Sequence, residues 1–284
     1  MSTSPAPAPA APHAPELTAK SEIVIVSHSS LFYWWPVWAV GFILALITLF
    51  AGDRLAVVPE GTKAVAGQNV IGLKEVDVLV VPQGRKLERD KEGNLLDPHL
   101  RIASSKNLGV TFCIVLLLVI TITNIPLRGL WSVIVIVIVI FGSAIFAVLD
   151  WWGTIFEKLS FLDIRINLGG YFLISAVLFG LWLIVFVFFD RQIYMIFTPG
   201  QLRVRLEIGD AETAYDTTGM TIMKQRSDLF RHWILGLGSG DLIVKTSGAQ
   251  HHHFDMHNVL FLGRKVREIE EMLRARQVVS GQNA

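Results

Sequence analysis

With 284 residues and 25 Lys/Arg against 24 Asp/Glu, the chain is close to neutral, which argues against nucleic acid as a partner, since that needs a net-basic surface. A 52% hydrophobic content and a mean hydropathy of +0.51 are too apolar for a disordered protein and high for an ordinary soluble domain. The single cysteine, Cys113, excludes an intramolecular disulfide framework.

Residues 1–30 begin "MSTSPAPAPAAPHAPE", which predicts a disordered Pro/Ala-rich tail with polyproline II character where the prolines cluster. No basic segment leads directly into a short apolar core there, so the start is unlike a signal peptide. Four stretches then carry no charged residue: Leu31–Gly52, Asn107–Leu127, Gly129–Leu149 and Ile166–Phe189. Each has the roughly 20 residues needed to cross about 30 Å of hydrocarbon as a helix. The third contains "VIVIVIVI", which by residue preference is a strand, but in lipid an isolated strand leaves its backbone groups unpaired, so helix is expected. Phe32, Tyr33, Trp34, Trp35 and Trp38 at one end of the first span, Trp131, Trp151 and Trp152 around the third, and Tyr171 at the start of the fourth mark headgroup layers. Only "IPLRG" joins the second span to the third, which predicts a tight antiparallel hairpin. The spans lack the ionisable residue that proton relays, ion paths and voltage sensors use, so a small transporter or channel subunit stands as the alternative reading.

Residues 53–106 carry nine Lys/Arg and eight Asp/Glu around the strand-like runs "EVDVLVV" and "HLRIAS", predicting a small β-rich lobe with a solvated, mixed-charge face. Residues 107–189 hold spans two to four. Residues 190–284 alternate as strands do: "QIYMIF", a turn at "TPGQ", then "LRVRLEI" with Leu202, Val204, Leu206 and Ile208 on one side. "GMTIMKQ", "LGLGSG" and "DLIVKTS" follow. Beyond Gly263 the period becomes helical, with Val266, Ile269, Met272 and Leu273 in one stripe. Leu202, Val204, Leu206, Ile243, Phe254, Val266, Ile269 and Leu273 are expected to form one core, in a segment that folds on its own.

"FTPGQLRVRL", "GMTIMKQRSDLFRHWILGLGSGDLIVKTSG" and "MHNVLFLGRKVREIEEML" resemble the bacterial PH-like domain of membrane proteins. Gln225, Arg226, Leu229 and Arg231 fall on that family's middle stretch, and Gly236, Gly238 and Gly240 on its glycine turn. The resemblance covers roughly residues 190–277; most members have two membrane helices before the domain, whereas four precede it here. It implies an α+β PH-like β-barrel closed by a C-terminal helix, used for binding or assembly and not for catalysis. With the lack of a signal sequence, it also implies an inner (cell) membrane location with a cytoplasmic C-terminal domain. The Lys/Arg flanking the spans give no vote of their own: Lys20, Arg128, Arg191, Arg203 and Arg205 lie on one side, Arg54, Lys63, Arg101, Lys106, Lys158 and Arg165 on the other.

"HHHFDMH" packs four of the eight histidines into residues 251–257. On a strand, His251, His253, Asp255 and His257 share one face, while His252, Phe254 and Met256 share the other. Histidines at two-residue spacing can chelate Zn²⁺, which makes His251, His253 and His257 the candidate metal ligands; a solvated strand face is the competing reading. "GLGSG" lacks the Lys-Ser/Thr of a phosphate-binding loop, and Ser227, Asp228 and His232 have no nucleophile elbow. Lys224, Arg226 and Arg231 are the candidate contacts for lipid phosphates or a partner, with plain surface charge as the competing reading. The expected function is a non-enzymatic, cofactor-free membrane module that binds membrane lipid, a protein partner or a second copy of itself; a membrane-embedded enzyme would need a polar cluster beside a span, and none is visible.

Overall fold

The computed structural model describes residues 22–70, 72–125, 129–209, 211–226, 228–247 and 252–282, with side chains as far as 274. Most of the expected Pro/Ala tail, Ser227 and His251 therefore lie outside the described residues. In chain order, β1 (Ile23–Val26) precedes α1 (Trp35–Ala51), which is followed by β2 (Gly52–Leu55), β3 (Lys63–Val70), β4 (Leu73–Val80) and β5 (Leu100–Ala103). Next come α2 (Asn107–Asn124), α3 (Leu130–Val148), α4 (Trp151–Ser160) and α5 (Leu168–Ile184). The chain ends with β6 (Tyr194–Phe197), β7 (Gln201–Arg205), β8 (Thr213–Asp216), β9 (Thr221–Gln225), β10 (Gly240–Lys245), β11 (His253–Val259) and α6 (Leu262–Gln282). These elements form two compact units: Met1–Ser29, Phe186–Arg226 and His232–Ala284 in one, Ser30–Val185 and Ser227–Arg231 in the other.

In the helical unit four helices are long and apolar enough to cross a membrane: Ser30–Ala51, Asn107–Asn124, Leu130–Val148 and Leu168–Gln192. They coincide with the four uncharged stretches. Pro36 sits in the first turn of α1, where its missing N–H is no loss. Asn167 caps α5, its Oδ1 accepting the Gly170 N–H at 2.6 Å. Val37, Leu44 and Ala45 of α1 pack with Phe112 and Val119 of α2 and Tyr171 of α5. Among the described residues α3 makes its main contacts with α4, a helix the sequence did not lead us to expect, and not with α2, in place of the expected tight pairing of spans two and three. Only Ser132 of α3 is buried. A surface of branched aliphatics on every side offers no preferred face to a neighbouring helix, and lipid chains solvate it equally well.

The segment after α1 contains the expected β4 and β5, and adds β2 and β3. β2 pairs with β5, and β3 with β4, as two separate two-stranded sheets. Nearly all residues of β3 and β4 are exposed.

The other unit holds a four-stranded sheet, β1-β6-β7-β8, and a three-stranded sheet, β11-β10-β9, both antiparallel. Their inner faces and one stripe of α6 share a core of Ile23, Ile25, Met195, Phe197, Leu202, Val204, Leu242, Val244, Phe254, Met256, Val259, Leu262, Val266, Ile269 and Met272. The helix stripe thus closes the core as expected, with Leu273 at its margin.

Four expectations are corrected here. Ile23–Val26, within the supposed tail, is an edge strand whose Ile23 and Ile25 are buried in this core. A segment beginning at residue 190 would therefore lack one strand of its own sheet. Leu242 and Val244 of β10 point inward, so Ile243 does not. β7 stops at Arg205, which leaves Ile208 exposed. Lastly, the sheets remain separate and no closed barrel forms. Between β8 and β9 a turn closed by the Met220 N–H on the Thr217 carbonyl (3.3 Å), with Gly219 at φ +70°, redirects the chain into the second sheet. At the other corner the Ser27 hydroxyl and the His28 N–H, both donating to the His257 carbonyl (2.9 and 3.2 Å), link the sheets, beside the Asn258 side chain on the His28 carbonyl (2.8 Å).

The β1–β6 ladder has a topological consequence. β1 lies just before the first candidate span and β6 just after the fourth, so pairing holds both on one side of any bilayer the helices cross.

Candidate functional site

The basic residues singled out in the sequence separate. Lys224 and Arg226, at the end of β9, are exposed and line an open groove of about 660 Å³ against the start of α6. Arg264 and Arg267 join them from the first turns of α6, and Phe261, Gly238, Gly263 and Val266 complete the walls. One carboxylate, Glu270, also lines it. Several cations are steered by local bonds: Arg226 Nη2 donates to the Gly238 carbonyl at 2.9 Å, Arg267 Nε to the Gly263 carbonyl at 3.3 Å, and Arg264 Nε lies 3.3 Å from Glu268. Beside the groove, burial and then the neighbouring Arg264 charge lower the Lys265 pKa from its ordinary value, against the pull of Glu268. Four cations, one lining carboxylate and an aromatic edge suit a phosphate or carboxylate group.

Arg231 is not part of this groove. It belongs to the helical unit, where its guanidinium lies 5.5 Å from the Tyr33 ring centroid and its backbone N–H donates to Asp228 at 3.0 Å. Arg264 and Arg267 were missed because they sit some forty residues further on, as ordinary surface positions of an amphipathic helix.

β11 presents its histidines as its alternation requires. His253, Asp255 and His257 are exposed, whereas Phe254 and Met256 are buried and His252 packs against Tyr215 (ring centroids 4.9 Å). His253 Nε2 is 3.0 Å from Asp255, and His257 Nδ1 is 3.7 Å from Asp241. His253 and His257 are four residues apart on one strand, about 13 Å at 3.3 Å per residue, too far to share one ion. Among the described residues no three His, Cys, Asp or Glu side chains gather into a metal-binding group; His251 is outside them.

A polar seam escaped the sequence reading. His232 is buried, its Nδ1 3.2 Å from the buried Ser239 hydroxyl and its Nε2 3.6 Å from Asp241. Asp241 accepts the Asn258 N–H at 3.0 Å, and the Asn258 side chain donates to the His28 carbonyl at 2.8 Å. His28 in turn lies 3.0 Å from Asp190, which also accepts the Ser29 N–H at 3.2 Å. For Asp241, burial alone would raise the pKa; His232, the Asn258 N–H and the His257 charge outweigh it, so the net shift is downward. The only sequence signal for this seam was position: Asp190 is the first charge after the fourth uncharged stretch, and His28 lies just before the first. Ser239 is fully buried, and the chain of contacts from Ser239 through His232, Asp241 and Asn258 to His28 ties the end of β1 to β11 and β10.

No family model, curated protein or solved structure matches the chain.

Proposed function

We propose that this chain is an integral membrane protein that presents a PH-like domain at the membrane surface as a non-catalytic binding module for anionic groups: lipid headgroups, or the acidic surface of a protein partner. The groove formed by Lys224, Arg226, Arg264 and Arg267 carries this reading. Supporting it, the domain begins at the end of the fourth candidate span, so its cations meet a membrane surface at high effective concentration. Each Lys or Arg near an anionic leaflet contributes on the order of 1 kcal/mol. Four would give about a thousandfold preference for anionic lipid, reduced by Glu270 and the internal bonds of the arginines. An inner-membrane location with the C-terminal domain in the cytoplasm fits this reading, because anionic lipid is what such a groove needs there.

The test uses the full chain in mild detergent. Retention of phosphatidylglycerol against phosphatidylcholine is measured by native mass spectrometry, for the parent and for a K224Q/R226Q/R264Q/R267Q variant. The parent is expected to retain the anionic lipid and the variant to lose at least about tenfold of that preference. Equal retention by both would overturn the lipid reading.

A further inference from the structure

The loop between β9 and β10 holds its apolar side chains outward on a fixed neck. The Gly238 N–H donates to the His232 carbonyl and the Ser239 N–H to the Gly236 carbonyl, each at 2.9 Å. His232 and Leu235 are buried below. Above the neck, Trp233 is 76% exposed, Ile234 47% and Leu237 59%; Phe261, which lines the basic groove, is 56% exposed. Two of these side chains sit on unfavourable backbone: Leu237 has φ +49° and Phe261 φ +51°. Glycine or asparagine is the usual solution at such positions, and a bulky residue there is strained. Burial in the folded protein does not compensate, since both side chains are more than half exposed.

We infer that this loop tip, with Phe261, inserts into the headgroup layer of the bilayer that the chain's own helices span, so that the basic groove is brought against the lipid phosphates. The inference rests on the membrane-surface reading above. Lipid supplies the apolar contact that the fold withholds from Leu237, Phe261 and Trp233, and a tryptophan is suited to that layer. Apolar tip and basic groove are contiguous: Leu237 precedes Gly238, whose carbonyl holds Arg226. Such a combination of apolar anchors and cations is what an anionic interface binds.

The experiment reconstitutes the full chain, carrying Cys113→Ser, in vesicles of phosphatidylcholine and phosphatidylglycerol, with an environment-sensitive fluorophore on Ile234→Cys. Shallow lipid-borne nitroxides are expected to quench the probe at least about twofold, and aqueous iodide to quench it several-fold less than the free fluorophore. Full iodide access overturns the inference. So does protection from iodide without nitroxide quenching, which means that protein covers the tip. Leu237→Gly should leave thermal stability unchanged or raised while weakening nitroxide quenching; a loss of stability would make Leu237 a folding residue and overturn the inference. Phosphatidylglycerol retention by the parent and by K224Q/R226Q/R264Q/R267Q, measured in parallel, keeps the two readings apart. An uninserted tip with retention lost only in the variant sinks this inference alone, and an inserted tip with equal retention by both sinks the groove alone.

Discussion

Two regions of this molecule are built from antiparallel strands and turn out differently. In the unit of β1 and β6 to β11 the strands make two sheets that face each other and α6, and the inward residues of β1, β6, β7, β10 and β11 are buried, with Tyr215 of β8 and Ile222 of β9 partly so. Between β2 and β5 the strands pair two by two, and Val70, Leu73, Leu79 and Val80 stay exposed. Alternation therefore produces a ladder in both places but a core in only one. What separates them is the second layer: a two-stranded sheet has no opposing surface against which to bury its apolar face.

The largest test of this contrast is the same substitution in both regions. Ile269→Asp puts an unpaired carboxylate into a fully buried site and should cost several kcal/mol, a large part of a small domain's stability. Ile25→Asp should be as damaging although it lies before the first span, because Ile25 is equally buried. Leu79→Asp on β4, already exposed, should stay within about 0.5 kcal/mol. Thermal unfolding of the detergent-solubilised chain measures all three, and similar losses at Leu79 and Ile269 would erase the distinction.

Next in size are two glycines of the helical unit. A side-chain carbon at Gly109 would run into the Ile164 backbone carbonyl, and one at Gly41 into the Ser175 hydroxyl. Gly109→Ala should cost about 1–3 kcal/mol, because backbone cannot step aside, and Gly41→Ala less, because the Ser175 side chain can turn. The order of the two melting temperatures decides it.

A smaller effect concerns acid. The Asp241 pKa is lowered from its ordinary 3.8, so its contribution to stability is complete above that value and is lost as pH falls through the folded-state pKa. Asp241→Asn should flatten the acid limb of melting temperature against pH relative to the parent; parallel curves would show that the seam is not coupled to folding. Smallest of all, replacing His251, His253 and His257 together by Ala should leave the melting temperature within the range of surface changes, about 0.5 kcal/mol, with no response to a chelator. A large loss mimicked by chelation of the parent would establish a metal site.

Local periodicity and partition between water and lipid were enough to read the four spans, the inward set Leu202, Val204, Phe254 and Met256, the stripe Val266–Ile269–Met272, and the outward histidines. Each depends on residues within one element, so the pattern carries the answer. The phase of β10 does not: Leu242, Ile243 and Val244 are all apolar, and only the ladder that sets Leu242 opposite Met256 and Val244 opposite Phe254 chooses which two go inside. Likewise β1 reads as part of a tail until its partner β6, some 170 residues away, offers a free edge. The groove follows the same logic. Lys224 and Arg226 were legible as basic residues after a strand, but packing of α6 beside β9 brings Arg264 and Arg267 to them, and the Tyr33 ring takes Arg231 away. Contacts between distant segments are selected by which edges and faces remain uncovered once the elements have formed, and no local pattern encodes that choice.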